Sequence, residues 1–367
     1  MNLKQIVITF LLFMLLVPAN LLAVGQAALP TLGLINNSRY VALGEAGGAV
    51  CYDQGAIQLN PAGLWFINKD NKSTVNGHFD FEYLLPEFGI KGLYHSYFSL
   101  YGNYKNQFSF GISNQYISFG ESEWINELGK PLGTFESFDN FLILSLASDL
   151  EINNSQRKSN YSLGINVKFI YSKLSDVPVG NEKRKGVSYS LAADVGVLYR
   201  EPFLNVFSAG LTLQNMGADV VYIDQNQADP LPFNIKLSFG STYEIPKLIK
   251  FTAVLDLNKE HVKRRDEESL PPDLCFKAII TSWDEPLNRE FDEIVRSYGL
   301  EIVTFDMFAL RAGGMVDKAG WRWERTYGCG FQMKHFDISI ASRKNLNDRG
   351  TARSSSTTYS MELKAPF

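Results

Sequence analysis

The segment YSLGINVKFIY, residues 161–171, places Tyr161, Leu163, Ile165, Val167, Phe169 and Tyr171 on one side of an extended chain, with Ser162, Gly164, Asn166, Lys168 and, one step beyond, Ser172 on the other. Period two over eleven residues is a strand signature, and Ile170 is the single apolar residue on the polar side. The next segment repeats it. Val187, Tyr189, Leu191, Ala193, Val195, Val197 and Tyr199 oppose Ser188, Ser190, Asp194, Gly196 and Arg200. A third sets Phe233, Ile235, Leu237, Phe239 and Tyr243 against Asn234, Lys236, Ser238, Thr242 and Glu244. Aromatic residues close each apolar face at both ends, ten residues apart, in the pairs Tyr161/Tyr171, Tyr189/Tyr199 and Phe233/Tyr243. Ten residues at roughly 3.3 Å span about 33 Å, and a tilt of about 40° leaves about 25 Å of depth, the height of an outer-membrane apolar band. Strands of a soluble sandwich average about 5–6 residues and need no aromatic at each end.

Extending this reading outward predicts strands at approximately 73–83, 92–103, 107–119, 135–150, 160–173, 186–200, 204–217, 232–245, 248–258, 295–304, 306–316, 322–334, 336–343 and 356–367. Their number, about 14, is even. The connections 103–107, 200–204, 245–248, 304–306 and 334–336 are tight, whereas 120–134, 174–185, 218–231, 259–294 and 344–355 are long. Short periplasmic turns and long outer loops give this alternation. The fold class is therefore all-β, a transmembrane antiparallel β-barrel over residues 73–367. Leu274 to Ser282, apolar enough for a strand, is assigned to the largest loop because counting it would spoil the parity. The mixed charges from Lys259 to Ser269, including Lys263, Arg264, Arg265, Asp266, Glu267 and Glu268, read as a solvated loop surface.

Composition supports the class. Aromatics reach 13% and charged residues only 20%, a profile for long strands rather than helices, and a net charge of -4 gives a nucleic acid nothing to bind. Residues 1–27 read as a signal peptide: Lys4 precedes a short apolar core from Ile6 to Val17, Pro18-Ala19-Asn20 interrupts it, and cleavage falls after Ala23 or Ala27. That core is too short to span a bilayer as a helix. Cys51, Cys275 and Cys329 are scattered and odd in number, so they read as unpaired thiols.

Residues 28–72 lack alternation and are rich in small residues, notably Gly44, Gly47 and Gly48 and then Asn60-Pro61-Ala62-Gly63-Leu64. Small residues allow close backbone packing, Asn-Pro gives a turn, and a fourteen-stranded lumen is too wide for its own side chains to fill. An N-terminal plug in the lumen is the natural occupant. The glycines lack the G-x-G-x-x-G spacing and a preceding strand, so they are no phosphate loop.

From Arg39 through Leu64 this stretch resembles the N-terminal hatch of PorV/PorQ family outer-membrane proteins, members of the FadL-like β-barrel superfamily. The resemblance continues in Asn215-Met216-Gly217 with Leu231-Pro232, in Tyr298-Gly299 and Glu301 leading to Ala309-Leu310-Arg311-Ala312-Gly313, in Tyr327-Gly328-Cys329-Gly330-Phe331, and in Phe336-Asp337-Ile338. Gly314-Met315 departs from the Gly-Tyr pair common there. The resemblance implies a fourteen-stranded FadL-like barrel with the hatch inside it, and a part in type IX secretion, with secretion components or a cargo protein as partners. The alternative it implies is a FadL-like channel passing a hydrophobic small molecule.

The chain ends with Tyr359, Met361, Leu363 and Phe367 on one side of a period-two strand. An aromatic terminus on an apolar face resembles the signal read by the barrel-assembly machinery, so the expected surroundings are that machinery and then outer-membrane lipid. Catalytic chemistry has little to work with: there is no H-E-x-x-H, no G-x-S-x-G, and no metal-ligand spacing among His78, His95, His261 and His335. No cofactor, metal or catalytic residue is expected. His78 and Asp80 lie two apart on the polar face of the first strand and read as lumen lining. Glu82, Lys168, Asp194 and Lys236 are expected to pair across the lumen, and Glu301 and Arg311 to be neighbours on adjacent strands.

Overall fold

The alternating segments form one antiparallel sheet that closes on itself. In the computed structural model the described residues are 27–67, 73–84, 91–104, 107–126, 128–150, 160–177, 185–201, 206–223, 228–262, 273–283, 286–346 and 355–366. The strands are β1 (Thr74–Tyr83), β2 (Leu93–Tyr104), β3 (Phe108–Ile125), β4 (Pro131–Asp149), β5 (Tyr161–Ser175), β6 (Gly186–Arg200), β7 (Phe207–Gly217), β8 (Asn234–Ile245), β9 (Ile249–Glu260), β10 (Val295–Thr304), β11 (Phe308–Asp317), β12 (Arg322–Gln332), β13 (Phe336–Asn345) and β14 (Ser355–Pro366). Each pairs with its sequence neighbours, and β1 closes the ring against β14 from Thr74↔Pro366 to Tyr83↔Thr357. Pairing the first strand with the last removes the two terminal edges, the condition for a sheet to stand in lipid. Among the described residues no helix is long and apolar enough to cross a membrane.

The side chains of β5 and β6 divide as their alternation requires. Ser162, Asn166, Lys168 and Asp194 are buried inside, and Ile165, Val167 and Phe169 are exposed outside. The aromatic pairs meet across the ladder. Tyr161 and Tyr199 have ring centroids 4.9 Å apart at one end of the β5–β6 pair, and Tyr171 and Tyr189 stack at 4.9 Å at the other. Cross-strand aromatic pairs of this kind are worth about 0.2–1 kcal/mol each.

Three expectations need correction. The long loop 120–134 is a hairpin whose strands run on to Ile125 and resume at Pro131, so only 126–130 connect them. A register shift between Ser118 and Glu121, with Gly120 at φ 79°, breaks the alternation there. Beyond the bilayer both strand faces meet water, so the polar run Glu121-Ser122-Glu123 forms strand without a period-two signal. Phe233 lies just before β8 on the outward side, yet only 2% of it is exposed, because the β9–β10 loop covers it. Lys259, expected to be solvated, is likewise only 5% exposed and pairs with Glu290 at 2.6 Å. The remainder of that charged run, Lys263 to Glu268, lies outside the described residues, as do residues 1–26 of the signal reading, residues 68–72, Ser354 and Phe367. Leu274 to Ser282 is not a strand: it contains a short helix, Cys275–Thr281.

Candidate functional site

Residues 27–67 run inside the ring and divide its lumen. The local structure follows from capping. Asn37 accepts hydrogen bonds from the backbone N–H groups of Arg39 (3.0 Å) and Tyr40 (3.3 Å) and so starts helix α1 (Ser38–Ala42). Asn60 does the same for a 3-10 turn, Pro61–Phe66, accepting from Ala62 N at 3.1 Å, with Pro61 at a position that needs no donor. Between them lies helix α2 (Gly55–Leu59). Tyr40, Leu43, Ile57, Leu59 and Leu64 are fully buried in one apolar cluster that includes Tyr101 and Ile143 from the wall.

The glycines of this segment mark contacts with the wall. Gly44 sits at φ 70°, and a Cβ there would overlap the Gly314 backbone of β11. A Cβ on Gly299 or Gly313 would overlap the Leu43 backbone in return. Segment and wall therefore touch backbone to backbone, which only glycine permits. Gly47 and Gly48 each donate their N–H to Asp256 Oδ2 on β9, both at 3.1 Å. Asn60 Nδ2 donates to the Val197 carbonyl at 3.2 Å, Ser162 Oγ donates to the Ala62 carbonyl at 2.9 Å, and Pro61 abuts Gly164 of β5. Gly63 packs on Cys51, whose thiol burial pushes up, away from reactive thiolate.

Charged contacts add to these. Arg39 donates from Nε (3.0 Å) and Nη2 (2.8 Å) to Glu301 on β10, and from Nη1 to Asp53 at 2.8 Å. Burial opposes the Arg39 charge, but Glu301, Tyr40 and Asp53 outweigh it and hold the guanidinium protonated well above its ordinary range. Glu301 also receives Arg311 Nε at 2.6 Å, the neighbour pair expected from sequence. Three strands along the wall from Glu301, Arg343 of β13 joins Glu45 at 2.5 Å and Glu82 at 3.2 Å. Lys168 meets Asp194 at 2.9 Å, and both hold Asn215, which sits at φ 62° on the β7 side of a register shift between β6 and β7. Arg39, Arg343 and Asp256 were not singled out from sequence; the polar-face position of Asp256 on its strand was the available signal.

Two cavities flank the segment. One of about 520 Å³, on the short-turn side, is lined by Arg39, Asp53, His78, Glu301, Arg311 and Glu362 among others. The other, about 220 Å³ on the long-loop side, is lined by Leu34, Glu82, His95, Arg322, Glu324 and Arg343 among others. His78 and Asp80 do meet, at 2.7 Å. Ser360 Oγ donates to Asp80 and not to the imidazole. Among the described residues no cluster of three metal-ligating side chains forms.

The wall has one irregular seam. Among the described residues the β6–β7 ladder stops at Ala192↔Gly217, and beyond it the Leu191 carbonyl accepts the Ala218 N–H at a long 3.3 Å. Next to it lies an outer crevice of about 540 Å³ lined by Leu142, Phe169, Tyr171, Tyr189 and Leu191. Inside, Ile170, the apolar residue on the polar face of β5, packs in a cluster with Leu29, Ile117, Phe141 and Leu231. At the end of the chain Tyr359, Met361 and Leu363 share the outward face, each roughly half exposed.

A family model described as type IX secretion system protein PorV matches residues 20–265. Among curated proteins none matches this chain. The P. putida toluene transporter TodX is similar in structure, with a TM-score of 0.53 at 10% identity over 90% of this chain and 98% of that one. A deltaS2 mutant of the TodX monoaromatic hydrocarbon channel gives a TM-score of 0.55 at 12% identity, covering 91% and 99%. At such identity the likeness concerns the fold.

Proposed function

The chain belongs to the PorV family of type IX secretion system proteins, and on that premise we propose that it takes part in type IX export as a closed outer-membrane barrel that receives or attaches cargo proteins through its outer surface. The observation that carries this reading is the seating of residues 28–67. Backbone contact at Gly44, the Asp256 cradle and the Arg39–Glu301 fork plug the lumen with groups poorly suited to passing an apolar solute. The inner cavity points the same way, since ionisable side chains line it. The segment acts as a hatch that keeps the lumen shut while the loops work. Export begins with the signal peptide at residues 1–27, and the face of Tyr359, Met361, Leu363 and Phe367 is read by the barrel-assembly machinery before it meets lipid. The test is complementation of a strain lacking the protein. Type IX cargo should reach the cell surface with the intact chain and collect in the periplasm without it. Normal cargo display in the deletion strain refutes the reading.

A second reading, a channel for a hydrophobic small molecule, is favoured by the β6–β7 seam alone, where an outer crevice adjoins an inner apolar cluster. Uptake of a labelled hydrocarbon into vesicles, dependent on the protein, would support it.

A further inference from the structure

The outward positions of β8 and β9 carry exposed Leu237, Phe239 and Leu255, and the register continues them to Ile235↔Lys259 and to His261, whose N–H donates to the Phe233 carbonyl at 2.7 Å. Phe233, Lys259 and His261 point outward by parity and are nevertheless buried. The β9–β10 loop covers them. His261 Nδ1 lies 2.9 Å from Ser282 Oγ, the Trp283 ring stands 5.9 Å from the imidazole and 4.8 Å from Lys259 Nζ, and Lys259 pairs with Glu290 and Glu293. This part of the loop folds down on the outside of the wall, not over the lumen.

The helix it holds there, α3 (Cys275–Thr281), turns apolar side chains away from the protein. Leu274 is 78% exposed, Phe276 68%, Ile280 78% and Trp283 41%, while Ala278 on the other side is 1% exposed. Phe276, Ile280 and Trp283 follow i, i+4, i+7 spacing and form one stripe. Its depth follows from the strand beneath it. Phe233 is ten residues from Tyr243, the same interval as Tyr161 to Tyr171, so the loop covers the wall at the outer edge of a band about 25 Å high. At that edge a series of outward rings, Phe81, Tyr94, Tyr116, Phe138, Tyr171 and Tyr189, runs from β1 to β6 with neighbouring centroids 4.9 to 5.9 Å apart.

We propose that α3 is an interfacial helix whose Phe276 and Ile280, with Trp283 at its end, rest among the acyl chains of the outer leaflet, extending over β8 and β9 the aromatic series that the wall carries from β1 to β6. Continuity with the apolar wall is what selects lipid as the occupant. Lys277, about 100° further round the helix than Phe276 and paired with Asp273 at 2.8 Å, stays on the aqueous flank.

The test uses the full-length barrel in phospholipid vesicles with Cys275→Ser and Cys329→Ser, so that the buried Cys51 is the only native thiol left. A fluorophore is attached at Ile280→Cys, at Phe276→Cys, or at Lys277→Cys, and each labelled protein is checked for the mobility shift of a folded barrel. Brominated acyl chains should quench the dye at Ile280→Cys and Phe276→Cys, and aqueous iodide should quench it several-fold less there than at Lys277→Cys. The proposal is overturned if iodide quenches all three positions alike in vesicles of lipid alone, or if the stripe becomes shielded only when a second protein is added.

Discussion

Arg39, in the first helix of the luminal segment, and Glu301, midway along β10, form a two-pronged guanidinium–carboxylate pair at 3.0 and 2.8 Å although 262 residues separate them. Arg311 completes the charge balance from the next strand, so Glu301 serves two cations at once, one on the wall and one on the plug. Glu301→Gln leaves both guanidinium groups facing a neutral amide. Breaking a buried pair this way costs about 3–5 kcal/mol, and the partial exposure of Arg39 places the effect toward the lower figure. The barrel ladder should survive, while limited proteolysis should cut residues 28–67 faster than in the parent. Unchanged cleavage would mean that the fork contributes nothing to seating the segment.

A second prediction concerns the backbone contact. Gly313→Ala places a methyl group into the Leu43–Gly44 backbone, and one of the two chains must move. Overpacking of this kind costs about 1–3 kcal/mol. Gly33→Ala, which meets nothing within 4 Å, is the control and should be neutral. The temperature at which the folded band converts to the unfolded one on a gel should fall for Gly313→Ala and hold for Gly33→Ala. Equal temperatures for both would remove the close approach as a source of specificity.

How far the sequence was readable follows from where water and lipid lie. Within the bilayer one face of each strand meets lipid and the other the lumen, so β5 and β6 announced themselves residue by residue, and even the exception, Ile170, marked a real apolar cluster inside. Past the bilayer that contrast vanishes, and the outer ends of β3 and β4, residues 120–125 and 131–134, carry no strand signal in the sequence. Small residues at 42–49 and 60–64 indicated close packing, but Arg39–Glu301, Arg343–Glu45 and Gly48–Asp256 join positions more than two hundred residues apart. No local pattern encodes such a pairing. Phe233 illustrates the same limit: its outward parity was legible, its cover by a loop fifty residues later was not.

The docked loop should respond to acid. Burial first, and Lys259 second, lower the His261 imidazole to about 4 from an ordinary value near 6.5. Phe233, Ser282 and Trp283 are its other neighbours, and none of them offers it a charge. A depressed basic group binds its proton more readily once the loop is released. Docking is therefore complete above pH 6.5, weakens as pH falls toward 4, and changes no further below that through this group. Protection factors across 273–283, with the intrinsic pH dependence of amide exchange divided out, should fall over that interval, and His261→Gln should flatten the dependence. Protection factors that stay constant between pH 7 and 4 would remove His261 from the docking equilibrium.

Replacing Asn60-Pro61-Ala62-Gly63 with a flexible polar linker of equal length should abolish function while leaving the barrel folded. These residues precede β1 and contribute nothing to the inter-strand ladder, so closure of β1 on β14 does not depend on them. What they do provide is a seat: Asn60 caps the turn and bonds the Val197 carbonyl, Pro61 lies against Gly164, and Ser162 bonds the Ala62 carbonyl. The wall contacts among these join the segment to β5 and β6, so their loss frees the plug from that part of the wall. Removing an N-cap alone costs about 1 kcal/mol, and the wall contacts add to it. Cargo should then accumulate in the periplasm, or, under the channel reading, hydrocarbon uptake should become leaky, with the heat-modifiable band intact in both cases. Wild-type cargo display together with wild-type uptake in the linker variant would reduce residues 60–63 to a tether.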